Sequence, residues 1–77
     1  MSKEFKGTMI ITKYNSSNIQ AASYDTSTKA MRITFNSGAT YEYDDVPHEI
    51  FSAFDNAESQ GKHFNSAINK IYKHKKI

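Results

Sequence analysis

The fold is decided by residues 35–47, FNSGATYEYDDVP, which contain a turn signal, two closely spaced tyrosines and the single proline of the chain. Apolar and polar residues alternate on both sides of the turn Asn36-Ser37-Gly38, and this period of two is typical of half-buried strands. The apolar positions of the alternation are Met31, Ile33 and Phe35 before the turn and Ala39, Tyr41 and Tyr43 after it. The stretch therefore predicts a β-hairpin.

The length of the loop decides which residues of the hairpin face each other. A two-residue loop would place the two tyrosines on the face opposite the apolar residues of the preceding strand. A three-residue loop, with Gly38 in a left-handed conformation, gathers the apolar residues on one face. We predict the second register, because a shift by one residue would turn the apolar set of the strand outward. The pairs predicted for it are Ile33 with Tyr41, Met31 with Tyr43 and, on the other face, Arg32 with Glu42.

The remaining segments predict strands first and helices afterwards. The strands are expected over 19–24, 29–36 and 39–44, and residues 9–12 either form a short strand or lie on the core. Residues 1–7 are polar and expected to be loose. A helix is expected to start within 44–47, to end at the breaker Ser59-Gln60-Gly61, and to be followed by a second helix over 64–73. This order predicts an α+β fold, a small three-stranded antiparallel sheet with a possible fourth N-terminal strand, covered on one face by two C-terminal helices.

Each predicted helix has one apolar stripe, which we expect to pack on the sheet. The stripe of the first helix is Ile50, Phe51, Phe54 and Ala57, and that of the second is Phe64, Ile68, Ile71 and Tyr72.

Length and composition predict one small cytoplasmic domain. The 77 residues suffice for one domain with a small core, which we divide into an N-terminal arm over 1–13 and a domain over 14–77. The absence of cysteine excludes disulfides and thiolate metal sites and fits a reducing compartment. No segment has the pattern of a secretory signal or a membrane span, so no membrane partner is expected. The protein is expected to be a monomer or, through an exposed strand edge, a weak dimer.

The charges are segregated along the chain although the net charge is only +2. Residues 33–61 contain no lysine or arginine and include the acidic segment Glu42–Glu58, whereas the basic segment, residues 62–77, contains no aspartate or glutamate. The lysines of the second segment are Lys62, Lys70, Lys73, Lys75 and Lys76.

Two interpretations of the basic segment remain open. Its lysines contact phosphates, with Tyr72 and the pair Tyr41 and Tyr43 as stacking platforms for bases, or they are solvated charges that stabilise a helix C-terminus. The spacing of Tyr41 and Tyr43 alone favours the core of the sheet over a base-stacking role.

No constellation of catalytic or metal-binding residues stands out. His48, His63 and His74 lie far apart and lack the spacing of metal ligands. No serine lies in a strand–turn–helix elbow beside a base, and the three glycines form no phosphate-binding loop. We therefore expect no enzyme, no cofactor and no metal.

An ordered series of motifs nevertheless resembles a known family over about residues 16–73. The residues that carry the likeness are Tyr24-Asp25, Ile33, Phe35, Gly38, Tyr41-Glu42-Tyr43, Val46-Pro47, Ala57, Ser59-Gln60-Gly61-Lys62, Phe64-Asn65, Ile68 and Tyr72. This series resembles the KTSC domain, which is named for the C-terminus of certain lysyl-tRNA synthetases and also occurs as small stand-alone bacterial and phage proteins.

The resemblance implies no particular activity, and the link to a tRNA synthetase suggests RNA as a partner. The sequence departs from the synthetase-attached form at Asn69-Lys70, where an arginine is expected. Our leading hypothesis is a small non-enzymatic module that binds RNA or single-stranded nucleic acid. Its residues would be Lys62, Lys70, Tyr72, Lys73, Lys75, Lys76, Tyr41 and Tyr43. The alternative is a protein-interaction module, such as a small phage or bacterial regulator, whose acidic segment docks on a host or cellular protein.

Overall fold

A computed structural model describes residues 2–77 as six strands and two helices. In chain order the elements are β1 (Ser2–Lys6), β2 (Met9–Lys13), β3 (Ile19–Asp25), β4 (Met31–Phe35), β5 (Thr40–Tyr43), α1 (His48–Asp55), α2 (Gln60–Ala67) and β6 (His74–Lys76).

The six strands form one antiparallel sheet in which each strand pairs with the next, in the order β1-β2-β3-β4-β5-β6. Both helices lie between β5 and β6 in the chain and cover one face of the sheet, as predicted. The expected sheet of three strands with a possible fourth was too small, because the sheet continues through β2 to β1 on one side and through β6 on the other. The added edge strands are short and wholly exposed, so they have no buried face for an apolar pattern to mark.

The hairpin of β4 and β5 has the predicted three-residue loop. Ile33 pairs with Tyr41, and Met31 pairs with Tyr43. Gly38 has a φ of 96°, which most side chains avoid. On the other face Arg32 lies opposite Glu42, so the register inferred from the alternation is confirmed.

The N-terminal segment is more ordered than its composition suggested. Ser2–Lys6 pairs with Met9–Lys13 around a turn in which Gly7 has a φ of 57°. The possible strand over 9–12 is thus present as β2, and the expected loose character of residues 2–6 is wrong. Met1 lies outside the described residues.

The last third of the chain departs furthest from expectation. The first helix begins only after Pro47, which is its N-cap residue, and not within 44–46. The second helix begins at Gln60 and ends at Ala67 instead of covering 64–73, because the Ser59 side chain caps its start and Lys70 adopts a φ of 67°. The chain then reverses and forms β6, so Lys70 and Lys73, which were expected at the end of the second helix, are not helical.

The core lies between the sheet and the helices. Tyr24 is fully buried, stacks on Phe51 with ring centroids 4.7 Å apart, and donates a 2.6 Å hydrogen bond to the Val46 carbonyl. A register shift between Ile19 and Ala21 keeps both ends of β3 directed at this core. The buried apolar residues are Tyr14, Ile19, Ala22, Tyr24, Met31, Ile33, Tyr43, Val46, Phe51, Phe54, Phe64 and Ile68.

Candidate nucleic-acid interface

The structure brings the basic C-terminal end next to the two tyrosines of the hairpin. β6 pairs with β5 so that His74 lies opposite Tyr43 and Lys76 lies opposite Tyr41. Because side chains alternate along a strand, His74 and Lys76 emerge on the helix side of the sheet, as do both tyrosines. Lys75 between them emerges on the other face.

Tyr43 is part of the core, as its spacing favoured. Its side chain is only 3% exposed, and its ring contacts Phe64 at 5.6 Å and stacks on His74 at 5.2 Å. Burial raises the pKa of the Tyr43 hydroxyl. With its ring covered by these neighbours, Tyr43 positions His74 and offers no free face to a base.

Tyr41 occupies the boundary between core and surface. It is half-buried, and its ring meets Phe35 edge-on at 5.9 Å and His74 at 6.0 Å. It therefore combines a packed side with an accessible rim next to Lys76. Tyr72 is likewise half-buried and packs against the core from the segment between α2 and β6.

The basic residues do not form one surface. Lys75 forms an ion pair with Glu42 at 3.4 Å on the open face of the sheet. Lys62 lies on α2, beside a hollow lined by Glu58, Ser59 and His63. Lys70 and Lys73 lie in the connection to β6, where the Lys73 carbonyl accepts a hydrogen bond from the Asp44 backbone. Of the eight residues singled out in the sequence, the structure thus brings Tyr41 and Lys76 together on one face of the β5–β6 edge. It places Lys70 and Lys73 in the connection that leads to β6, and Lys62 and Lys75 elsewhere.

The acidic segment is also divided by the fold. Glu42 accepts a 2.9 Å hydrogen bond from Arg32 and pairs with Lys75, and the Arg32 contact holds the pKa of the Glu42 carboxyl below its usual range. Asp55 is buried. The exposed acidic side chains of the segment are therefore reduced to Asp45, Glu49 and Glu58.

Asp55 is held by a polar cluster that links the N-terminal hairpin to α1. Its Oδ1 accepts a hydrogen bond from the Tyr14 hydroxyl at 2.5 Å, and its Oδ2 pairs with the Lys3 ammonium of β1. Burial and the Asp55 carboxylate raise the pKa of Tyr14 well above its usual range. The neighbouring Thr12 hydroxyl is buried without a hydrogen-bond partner within residues 2–77. A carboxylate with a strong donor on each oxygen is a structural anchor rather than a free base.

Sequence reasoning missed a cleft of about 360 Å³ at the end of the sheet where the β4–β5 turn lies. It is lined by Ser17, Asn18, Ile19, Phe35, Asn36, Ser37, Gly61, Phe64 and Asn65. These residues come from the β2–β3 loop, the β4–β5 turn and the start of α2. The pair Phe64-Asn65 after a glycine was visible in the sequence, but only the fold brings it beside Asn18 and Asn36.

Within residues 2–77 no cluster of three or more histidine, cysteine, aspartate or glutamate side chains is placed to hold a metal ion. In the same range no helix is long and apolar enough to cross a membrane.

Comparison with known proteins identifies the fold and the family. The family model of the KTSC domain matches residues 15–72. The chain belongs to the KTSC domain family. A crystal structure of a KTSC domain protein from Yersinia pestis superimposes with a TM-score of 0.85 at 30% identity and covers 90% of this chain and 97% of that one.

KTSC relatives differ greatly in length. A lysine–tRNA ligase of Nostoc punctiforme is 39% identical over 59 residues, which are 77% of this chain but only 10% of the ligase. An uncharacterized protein of Stutzerimonas stutzeri is 40% identical over 53 residues, 69% of this chain and 75% of that protein. This KTSC domain is thus similar to a small region of the ligase and to most of the short relative.

The motifs that carried the resemblance have two structural roles. Tyr24, Tyr43, Val46 and Ile68 are buried and build the core. Residues Phe35, Gly61, Phe64 and Asn65 line the cleft.

Proposed function

We propose that this KTSC domain is a non-enzymatic module that binds RNA or another single-stranded nucleic acid through the β5–β6 edge of its sheet. We define the basic edge as Tyr41, His74 and Lys76 of the paired strands together with Lys70 and Lys73 of the connection that leads into β6. The observation that carries the proposal is the pairing of β6 with β5, which places Lys76 and His74 on the same side as the accessible rim of Tyr41.

The chemistry of the basic edge suits a flexible strand of nucleic acid. Lys70, Lys73 and Lys76 are exposed and form no ion pair within residues 2–77, so their ammonium groups are free to contact phosphates. Tyr41 presents an aromatic rim on which one base can stack. Three phosphate contacts to a single strand give a log–log salt slope of about −2.

The similarity to a region of lysine–tRNA ligases supports RNA as the first ligand to test. The relation concerns a tenth of the ligase, so aminoacylation itself is not part of the proposal.

The test is a binding titration with tRNA, single-stranded RNA and single-stranded DNA at two salt concentrations. The variant Lys73→Gln/Lys76→Gln removes two charges from the basic edge and leaves Lys75 with its partner Glu42. The matched control, Lys6→Gln/Lys13→Gln, removes two exposed lysines from β1 and β2 on the opposite side of the sheet. We expect the first variant to weaken binding and to reduce the slope by about 1.4, at roughly 0.7 for each phosphate contact.

The proposal fails if the native protein binds none of the three nucleic acids at low salt, or if both double variants weaken binding equally. The first outcome would turn attention to a protein partner, for which Asp45, Glu49 and Glu58 remain as exposed acidic contacts. A pull-down before and after nuclease treatment would then identify the partner, and size-exclusion chromatography would distinguish a monomer from a weak dimer.

A further inference from the structure

The cleft between the β2–β3 loop, the β4–β5 turn and α2 has the size of a small-ligand site. Its volume of about 360 Å³ lies near the lower end of the roughly 300–1,000 Å³ common for such sites. Its apolar wall consists of Ile19, Phe35 and Phe64, and the two phenylalanine rings meet edge-on with centroids 5.5 Å apart. The opposite part of the lining is polar.

The polar lining is neutral and consists mainly of amides. Asn18, Asn36 and Asn65 line the cleft with two serines, and no charged side chain takes part. An uncharged lining offers no counter-charge to a phosphate and no carboxylate to a metal ion. A side-chain amide instead pairs a donor with an acceptor, an arrangement that matches the edge of a nucleobase.

Hydrogen bonds hold the loops of the cleft in place. The Asn36 backbone donates to the Asn18 carbonyl at 2.8 Å, and the Asn36 side chain donates to the Ser16 carbonyl at 3.0 Å. The Ser16 hydroxyl in turn accepts from the backbone of Asn18 and Ile19. Such fixed walls lower the entropy cost of binding a ligand.

Two amides remain free for a ligand. The side chains of Asn18 and Asn65 make no hydrogen bond to any other group within residues 2–77, and both residues are exposed. Gly61 lets Asn18 approach α2 closely, since a Cβ at that position would lie 3.2 Å from Asn18 Nδ2.

We propose that this cleft is a base-binding pocket, in which one unstacked nucleobase lies against Phe35 and Phe64 and hydrogen-bonds through its edge to Asn18 and Asn65. This inference rests on the proposed nucleic-acid binding and deepens it. Phe35 of the cleft contacts Tyr41, and Tyr41 contacts His74, so a row of aromatic side chains links the cleft to the basic edge. The edge contacts phosphates without regard to sequence, whereas the cleft selects the base.

The test uses free nucleosides, because they contain the base but no phosphate. Adenosine, guanosine, cytidine and uridine are titrated separately into the ¹⁵N-labelled protein, and the amide signals of Asn18, Gly61 and Asn65 are followed by NMR. We expect at least one nucleoside to shift these signals in a saturable way and to leave the signals of β1 unchanged. Asn18→Ala and Asn65→Ala should each lower the affinity for that nucleoside about five-fold, because each variant loses one hydrogen bond to the base. Asn15→Ala, in the same loop but outside the cleft, should have no effect.

Failure of the pocket and failure of nucleic-acid binding are distinguishable. If the affinity for RNA falls with salt as expected but no nucleoside shifts the NMR signals of the cleft at millimolar concentration, the base-binding pocket is refuted and phosphate binding by the basic edge is supported. If N-acetylglycine amide shifts the cleft as strongly as every nucleoside does, the cleft recognises amides in general and the base assignment is refuted. If a nucleoside binds the cleft while RNA binds with the same affinity to the native protein and to Lys73→Gln/Lys76→Gln, the base-binding pocket is supported and phosphate binding by the basic edge is refuted.

Discussion

Replacing Asp55 by alanine tests how the N-terminal hairpin is attached to the helical layer. Asp55 is 2% exposed and accepts a hydrogen bond from Tyr14, which is itself buried. A hydrogen bond to a charged group contributes about 1.5–3 kcal/mol, and its loss leaves the Tyr14 hydroxyl buried without a partner. The Lys3 side chain is 33% exposed, so its ion pair with Asp55 adds less, up to about 1 kcal/mol.

Together these contacts predict that Asp55→Ala lowers the free energy of unfolding by about 3 kcal/mol. A chain of 77 residues has a total stability on the order of 4–12 kcal/mol, so this loss is large. Urea unfolding followed by circular dichroism measures it, provided that the m-value is unchanged.

Three further variants separate the two contacts of Asp55. Tyr14→Phe keeps the ring that meets Phe54 edge-on and should cost about 2 kcal/mol. Lys3→Met keeps the apolar stem and should cost about 0.5 kcal/mol. Asp55→Asn retains an acceptor for Tyr14 and should cost less than Asp55→Ala. A cost of Lys3→Met that exceeds that of Tyr14→Phe, or an Asp55→Ala variant within 1 kcal/mol of the native protein, would refute this account.

Three other perturbations have defined outcomes. Gly61→Ala should leave the urea midpoint nearly unchanged, because the roughly 0.5–1 kcal/mol that alanine adds to a helix offsets the displacement of Asn18; a loss above 2 kcal/mol would show that the close approach is rigid. The hydrogen bond from Arg32 lowers the pKa of Glu42 in the folded protein. Glu42 therefore stabilises the fold fully above pH 4.5, the ordinary pKa of a glutamate, and this contribution is lost as the pH falls through the lowered pKa. Glu42→Gln should therefore flatten the acid limb of a plot of stability against pH, and an unchanged limb would contradict this assignment. Gly38→Ala should cost at least about 1 kcal/mol in urea unfolding because of its positive φ, and a neutral effect would show that the turn relaxes.

The central hairpin was predictable because two local signals agree. The apolar alternation on both sides of residues 36–38 favours a three-residue loop, and the glycine at position 38 suits the left-handed position of that loop, so that Ile33 and Tyr41 face each other. Burial of one face of this hairpin makes its register strongly specified, since any other pairing would expose the core.

The edge strands were not predictable for the converse reason. β1 and β6 are exposed along their whole length, so their residues follow no apolar period. The second helix was expected to reach residue 73 because Phe64, Ile68, Ile71 and Tyr72 recur at a helical period, but Ile71 is exposed in the structure. The chain turns away from the helix at Lys70, which has a left-handed backbone conformation. Because this residue is not a glycine, the sequence does not indicate the turn.

The candidate interface was predicted only in part, because it depends on contacts between distant segments. Tyr41 and Lys76 were named from composition, but their adjacency follows from the β5–β6 pairing. The amides of the cleft come from three segments, and nothing in the sequence indicates that Asn18 lies beside Gly61.

Because each strand pairs with the next one in the sequence, the strand order also predicts the order in which the strands fold. β1 to β5 join through short turns, so their closure costs little entropy and can occur early in folding. β6 pairs with β5 across roughly thirty intervening residues that contain both helices, so closing this pair costs more entropy than closing the hairpins. Since β6 has only three residues and all are exposed, we expect it to dock last and to detach before β3 and β4, so its amides should exchange with solvent faster than theirs. The domain can thus release its basic edge while its core remains folded.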